Sequence, residues 1–453
     1  MKKLISLIGI SLLATSATVV TVACGKRNNE LRVVFVPSQN QTDVESTTAS
    51  LEKLLTEELK KKAAARGTQF TKRVKVTTSQ NYEIAGQSLA NGNEDIGFLP
   101  INTYSTYRGE KQSDGTYSKL GVLLTAGRSG VTPETTLNDF KGANGKFDND
   151  KATTQISNEV AFNLVKNYKE AAEKAKPTGT EGYSKKMYDS LNRAIYYRSY
   201  VFANIPILSA LKISESNSNS EWKGKSYKEA IDSVFTNGDV AKYQKILKML
   251  ILDPNVKIGI GKSKTSSSGF LYPILWLKDF VGLTETEITK MLTEKDEKRR
   301  FVKALSFTES ATAIGDKNAT SKSSPYAITF GFADIRFRDR QTDGKTPEQL
   351  KTEREHEKGL FENSMVIGAS QSIYNDGISY SKSNKSVFKD KKLLEDVKQS
   401  FVDLIDKNPE AKKIFKIYNH EEYIVPGKEI DQEISKSNEN IESIKKLVKN
   451  INW

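Results

Sequence analysis

Residues 264–277 read KTSSSGFLYPILWL. Four small hydroxyl residues, Thr265, Ser266, Ser267 and Ser268, and then Gly269 stand directly ahead of an apolar, helix-like run. Hydroxyls and backbone N–H groups at the start of a helix can all donate to one anion, and the helix dipole favours its negative charge. The same pattern also spells an N-cap in a serine-rich turn, where the hydroxyl serves the helix itself. The surrounding elements decide between the two.

The rest of the chain offers little catalytic chemistry. His356 lies in a charged segment and His420 beside acidic residues, neither with a second ligand at metal spacing. No G-x-S-x-G elbow and no D-x-D-x-D-G calcium loop occurs. The sequence therefore predicts no enzyme, no cofactor and no metal site.

Residues 31–38 (LRVVFVPS) read as a buried strand that breaks at Pro37-Ser38, followed by a helix over 44–62. A second strand (72–79) and a helix ending at Gly92 follow, then a third strand (95–107) running into a polar, tyrosine-bearing loop. This β-α-β-α-β order with short connections predicts a parallel, doubly wound sheet, which binds ligands beyond the carboxyl ends of its strands. Those ends are Pro37-Ser38-Gln39 and residues 100–104. Residues 128–193 read as a polar, helical insertion, and 194–205 as an aromatic strand carrying Tyr197. A helix near 227–249, the strand-to-loop passage into Thr265, and a strand and turn over 324–337 come next. The stretch 338–359 is expected as a charged, mobile loop, 364–382 as strand, and 391–406 and 409–418 as helices. The tail places Ile430, Ile434, Ile441, Ile444, Leu447, Val448 and Ile451 at near-helical spacing, an amphipathic helix packed on the body.

Length and charge frame these parts. At 453 residues the chain can hold two or three domains with real cores. A formal net charge of +13 makes anions natural partners. The lysines are scattered along solvated helix faces, and no nucleic-acid motif accompanies them, so no nucleic-acid partner is expected. At the N-terminus, Lys2 and Lys3 precede an apolar, small-residue run ending at Ala23 and then the only cysteine, Cys24. This start resembles the lipobox of bacterial lipoproteins, with Thr21 where that motif prefers leucine. The resemblance implies removal of residues 1–23, lipidation of Cys24, and a tether over 24–30. A single cysteine excludes an internal disulfide.

In their order along the chain, several motifs resemble the substrate-binding lipoproteins of phosphonate-type ABC importers. Mycoplasma members of that group are described as high-affinity transport-system or thiamine-pyrophosphate-binding proteins. The motifs are VVFVPSQNQTD, DIGFLPINTY, YYRSYVFAN, KTSSSGFLYP, FGFADIRF and YNDGISY. The fourth resembles the group's S-x-S/T-S-G-Y/F-x-x-P phosphate loop, with Pro273 in place. Residues 128–193 and 337–359 have no counterpart in compact members.

The resemblance implies an α/β, two-lobed, periplasmic-binding-protein-like (type II) fold with helical insertions and a ligand cleft between the lobes. Lobe 1 is expected over 31–200, lobe 2 over 201–359, and a return to lobe 1 with C-terminal helices over 360–453. Thr265, Ser266, Ser267, Ser268 and the Gly269 backbone become an anion clamp, closed from the first lobe by Ser38 and Gln39. Asn102, Thr103 and Tyr104 would bond or stack on the ligand, with Tyr197 nearby. Asp334 would meet a cationic part of the ligand or cap a turn. Asn375 and Asp376 belong either to the site or only to the turn they spell before Gly377. The implied protein is monomeric, held by lipid on the outer face of the cell membrane, and delivers a small anionic phosphorylated solute to an ABC permease. The rival expectation is an adhesin-like surface lipoprotein that binds host molecules or polymer through its basic face.

Overall fold

The computed structural model describes residues 29–36, 42–177, 181–214, 221–295, 298–304, 306–332, 334–337, 345–418, 420–427 and 430–453. The predicted start is present: β1 (Glu30–Phe35), the helix Thr42–Ala65, β2 (Arg73–Thr78), the helix Tyr82–Ala90 and β3 (Ile96–Leu99). β1 lies between β2 and β3 and is parallel to both. That central position explains its run of buried Val33, Val34 and Phe35, since a parallel strand is covered on both faces. The first helix lays Leu51, Leu54, Leu55 and Leu59 on one stripe, and they join the sheet's core.

Three expectations change. Residues 101–107 form a helix, Ile101–Tyr107, where a loop was expected. Pro100 stands at its N-cap, ending the strand at a position where a missing N–H costs the helix nothing. The helical stretch 227–249 is two helices, Tyr227–Asn237 and Val240–Leu252, broken where Gly238 takes a left-handed φ of 72°. Of the expected mobile loop, Pro347–Asn363 is a helix opened by a capping box between Thr346 and Gln349, and it buries Leu360 and Phe361. Residues 338–344 lie outside the described residues.

Among the described residues the remaining strands are β4 (Leu120–Val131), β5 (Tyr188–Ala194), β6 (Tyr196–Asn204), β7 (Ile258–Gly261), β8 (Phe301–Ala304), β9 (Ile328–Phe332), β10 (Ser364–Tyr374), β11 (Gly377–Ser381) and β12 (Glu422–Ile424). One sheet runs β12-β4-β11-β3-β1-β2, with β5 paired to β4, and the other runs β10-β6-β9-β7-β8. These are the two lobes of the expected α/β fold. In the first sheet β1, β2 and β3 form the expected parallel run, whereas β11 pairs antiparallel with β3 and β4. The reason is that β11 arrives from the other lobe rather than through a crossover helix.

The chain crosses between lobes at Ile195, between β5 and β6, and returns between β10 and β11. Asn375, 1 % exposed, fastens both crossings. Its N–H donates to Ile195 O (2.9 Å), and its amide Nδ2 donates to Ala126 O (2.9 Å) and Ala194 O (2.8 Å). The boundaries therefore differ from the expected ones, because β6 from Tyr196 onward and all of β10 belong to the second sheet. The insertion also changes lobe. Leu137, Phe140, Phe162, Val165 and Tyr168 share one core with Val201, Phe202 and Ile246. Among the described residues no helix is long and apolar enough to cross a membrane.

Candidate functional site between the lobes

The serine loop follows β7 and enters a π-turn, Ser267–Leu271, before the helix Tyr272–Asp279. Ser266 is its N-cap: Oγ accepts from Gly269 N (3.2 Å), and its carbonyl accepts from Phe270 N (3.1 Å) and Leu271 N (2.9 Å). One carbonyl taking two successive N–H groups widens the turn, an irregularity that recurs at functional sites. Gly261 makes this possible, since a Cβ there would sit 2.9 Å from Gly269 O. The serine cluster therefore serves the helix and the site together, with the capping role falling to Ser266.

The hydroxyls of Ser267 and Thr265 reach partners on the first lobe, across the interlobe seam. Ser267 Oγ accepts from Asn102 Nδ2 of the first lobe at 2.6 Å, and both residues are buried. Thr265 Oγ donates to the carboxylate of Glu83, also in the first lobe. Ser199 of β6 donates to Ser268 O at 2.7 Å. Asn102 Oδ1 is buried and has no hydrogen-bond partner among the described residues. A buried polar atom left this way is a natural seat for a donor from a ligand or water.

Next to this seam lies an ionic pair at the hinge. Arg128, near the end of β4, places Nη2 3.7 Å from Asp376 Oδ2, with the two side chains 12 % and 16 % exposed. Its guanidinium carbon lies 5.1 Å from the centre of the Tyr197 ring. Arg128 Nε is buried with no partner among the described residues. Burial raises the Asp376 carboxyl above its ordinary range, and the Arg128 charge only partly offsets this. Burial also pushes up the phenols of Tyr82 and Tyr197, with the Asp376 carboxylate adding to it. His420 donates to or accepts from Tyr423 Oη at 3.1 Å. Burial, reinforced by Arg128, holds its imidazole well below the usual range and therefore neutral.

A cavity of about 370 Å³ opens beside Arg128 and Tyr197. Phe147, Tyr188, Tyr196 and Phe332 give it aromatic walls, and Lys416 reaches it from the first lobe. Tyr196 Oη is buried without a hydrogen-bond partner among the described residues.

Of the predicted site residues, Asn102, Tyr197, Ser267 and Asp376 meet around this seam, with Thr265, Ser266, Ser268 and Gly269 in the loop beside it. Others are placed elsewhere. Thr103 packs its methyl towards Gly86 on the neighbouring helix. Tyr104, fully buried, donates to Asp431 Oδ1 at 2.6 Å in the C-terminal helix. Asp334 lies in the second core, where Oδ1 accepts from Arg336 Nε (3.0 Å), Oδ2 accepts from Nη2 (2.8 Å), and Tyr168 donates to it. Asn375 is the hinge fastener already described. Ser38, Gln39 and Cys24 lie outside the described residues. Sequence reasoning passed over Arg128, Tyr82 and Glu83. Arg128 carried a legible signal, being the one charged residue in the strand LGVLLTAGRSGV.

No protein-family model and no curated protein matches this sequence. Among solved structures the chain is similar to Mh-p37 of Mycoplasma hyorhinis, a proposed thiamine pyrophosphate transporter. The TM-score is 0.55 at 13 % identity, over 91 % of this chain and 98 % of that one. XAC2383 of Xanthomonas citri, bound to chloride, gives 0.47 at 8 % identity over 92 % and 99 %. PhnD1 of Prochlorococcus marinus, in complex with methylphosphonate, gives 0.44 at 13 % over 94 % and 100 %. The first of these shares the chain's fold: two α/β lobes joined by a hinge.

Proposed function

We propose that this protein is an extracytoplasmic solute-binding protein, anchored through Cys24, that hands an anionic phosphorylated solute to an ABC permease. The observation that carries this reading is Arg128. An arginine is always charged, and its fork matches phosphate oxygens two at a time. Here it sits at the hinge between two lobes, in a loose pair with Asp376 and with Nε unpartnered among the described residues. The start of the π-turn at Ser267, which faces Asn102 on the opposite lobe, adds the favourable end of a helix dipole to this seam. A solute held there touches both lobes, so its binding favours closure.

The aromatic cavity supports a finer choice. Its volume and its tyrosine and phenylalanine walls suit a ring system, which a simple phosphonate lacks. Thiamine pyrophosphate combines a diphosphate for Arg128 with a ring cation that Asp376 and the tyrosine faces would favour. Mh-p37, with its shared fold, adds the same ligand as a candidate.

Mass spectrometry of small molecules released from purified protein, followed by calorimetric titration, tests this. Thiamine pyrophosphate is expected to bind at least about 100-fold more tightly than methylphosphonate, a gap of about 2.7 kcal/mol. Equal or tighter binding of methylphosphonate would overturn the ring-bearing choice. Binding of neither, with no phosphorylated compound released, would overturn the transport reading.

A further inference from the structure

The C-terminal helix Ile430–Val448 belongs to neither lobe alone. Ile434 is fully buried in a first-lobe cluster with Leu99, Ile101 and Tyr104. Ile441, Ile444, Val448 and Ile451 are buried in the second-lobe core. At 1.5 Å per residue the helix is about 28 Å long, enough to cross from one lobe to the other as a single rod.

The two seats differ in strength. On the first lobe, beyond Ile434 and a partly buried Ile430, the helix has polar ties only. Asp431 accepts from Tyr104 Oη (2.6 Å) and pairs with Arg108 (3.9 Å), and Ser435 accepts from Arg108 Nη2 (3.2 Å) and bonds Tyr117 Oη (3.2 Å). On the second lobe four apolar side chains are buried, and the chain end is tied to the serine loop itself. Lys264 Nζ donates to Val448 O (3.3 Å), Lys449 O (3.3 Å) and Ile451 O (2.9 Å). Trp453 Nε1 donates to Gly261 O (2.9 Å), the residue whose backbone meets Gly269. Lys264, one of the two lysines of the loop, is therefore engaged by the chain end that follows this helix.

We propose that this helix is a strap that sets the balance between open and closed lobes. When the lobes close, residues 430–437 seat on the first lobe. When they open, that half unseats while the half from Ile441 onward stays fixed to the second lobe and to the serine loop. A rigid rod fixed at both ends resists rotation of one lobe against the other, so one seat has to release first. The first-lobe seat, which among the described residues has one fully buried side chain, Ile434, and a partly buried Ile430, is that one. Because Lys264 and Gly261 are held by the chain end, the strap also fixes the loop that faces the ligand. This inference uses the two-lobe closure proposed above but not the identity of the solute.

The test joins Asp431→Ala with Ile434→Ser, which removes the buried side chain and the Tyr104 bond of the first-lobe seat and leaves the second intact. Small-angle scattering of the ligand-free double variant should give a larger radius of gyration than the native protein. Thiamine pyrophosphate affinity should fall about tenfold. A radius equal to the native one would overturn the strap, and because this reading needs no ligand it stands apart from the choice of solute. Hydrogen exchange on the native chain guards against a variant that fails to fold. Amides of 430–437 should exchange faster than those of 441–448 without ligand, and slow when thiamine pyrophosphate is added. Equal exchange in the two halves under both conditions would overturn the proposal.

Discussion

Two arginine–aspartate pairs in this molecule are satisfied to very different degrees. Asp334 and Arg336 sit two residues apart in the second lobe, 0 % and 2 % exposed at their side chains, with both carboxylate oxygens engaged at 3.0 and 2.8 Å. The Arg336 guanidinium also lies 3.8 Å from the Phe361 ring centre. Nothing is left over for a ligand. Arg128 and Asp376 are far apart in sequence, meet only at 3.7 Å, and leave Arg128 Nε without a partner among the described residues. A buried pair with all its hydrogen bonds made holds a core together, whereas a buried pair short of them is ready to change partner. Satisfaction, more than the presence of charge, is what singles out Arg128 rather than Arg336 as the proposed ligand contact.

The largest effect that could break this contrast is at the closed pair. Asp334→Ala strands a buried guanidinium, and should cost about 3–5 kcal/mol in denaturant unfolding. Any loss of ligand affinity should follow only from the fraction unfolded. A variant of native stability with weakened binding would move Asp334 into the site, one of the two roles its sequence allowed.

The hinge pair is sharpened by pH. His420, beside Arg128, is held neutral when folded but takes a proton near pH 6.5 when unfolded. The unfolded state then binds more protons as the pH falls, so His420 contributes stability above about pH 6.5 that is lost below it. From pH 6.5 downward the loss should approach about 1.4 kcal/mol per pH unit. Thermal melts of native protein and His420→Phe from pH 7.5 to 5 measure it, and the variant's curve should be flatter by that slope. Parallel curves would mean that His420 takes up its proton without unfolding.

The smallest effect concerns the serine loop. Ser266→Ala removes an N-cap and should cost about 1 kcal/mol of stability, with affinity changed less than about threefold. A large loss of affinity at native stability would return Ser266 to the ligand.

Much of the scaffold was legible in the sequence because local rules govern it. The run LRVVFV announces a central parallel strand, and KTSSSGF announces a helix start whatever its partner. The C-terminal helix was visible from its isoleucine spacing, yet the spacing alone does not say that Ile434 and Ile441 enter different cores. Residues 132–187 carried helical patterns but no address, and only the packing of Phe162 and Tyr168 assigns them to the second lobe. Tyr104 looked like a ligand contact because it follows a strand end. Helix geometry after Pro100 turns it towards Asp431 instead. Asp376 could be read as a turn residue or a site residue, and its partner Arg128 lies 248 positions away, beyond the reach of any local pattern.

The central claim is that Arg128 holds the solute's phosphate. Side-by-side calorimetric titration of native protein and Arg128→Met with thiamine pyrophosphate tests it most directly. Charge-assisted hydrogen bonds are worth about 1.5–3 kcal/mol each, so loss of the guanidinium should weaken binding about 100-fold or more. The melting temperature should stay within a few degrees of native, because methionine keeps the packing of the arginine stem and the Asp376 carboxyl, already raised by burial, can take a proton once Arg128 is gone. Affinity unchanged in a folded Arg128→Met protein would contradict the account.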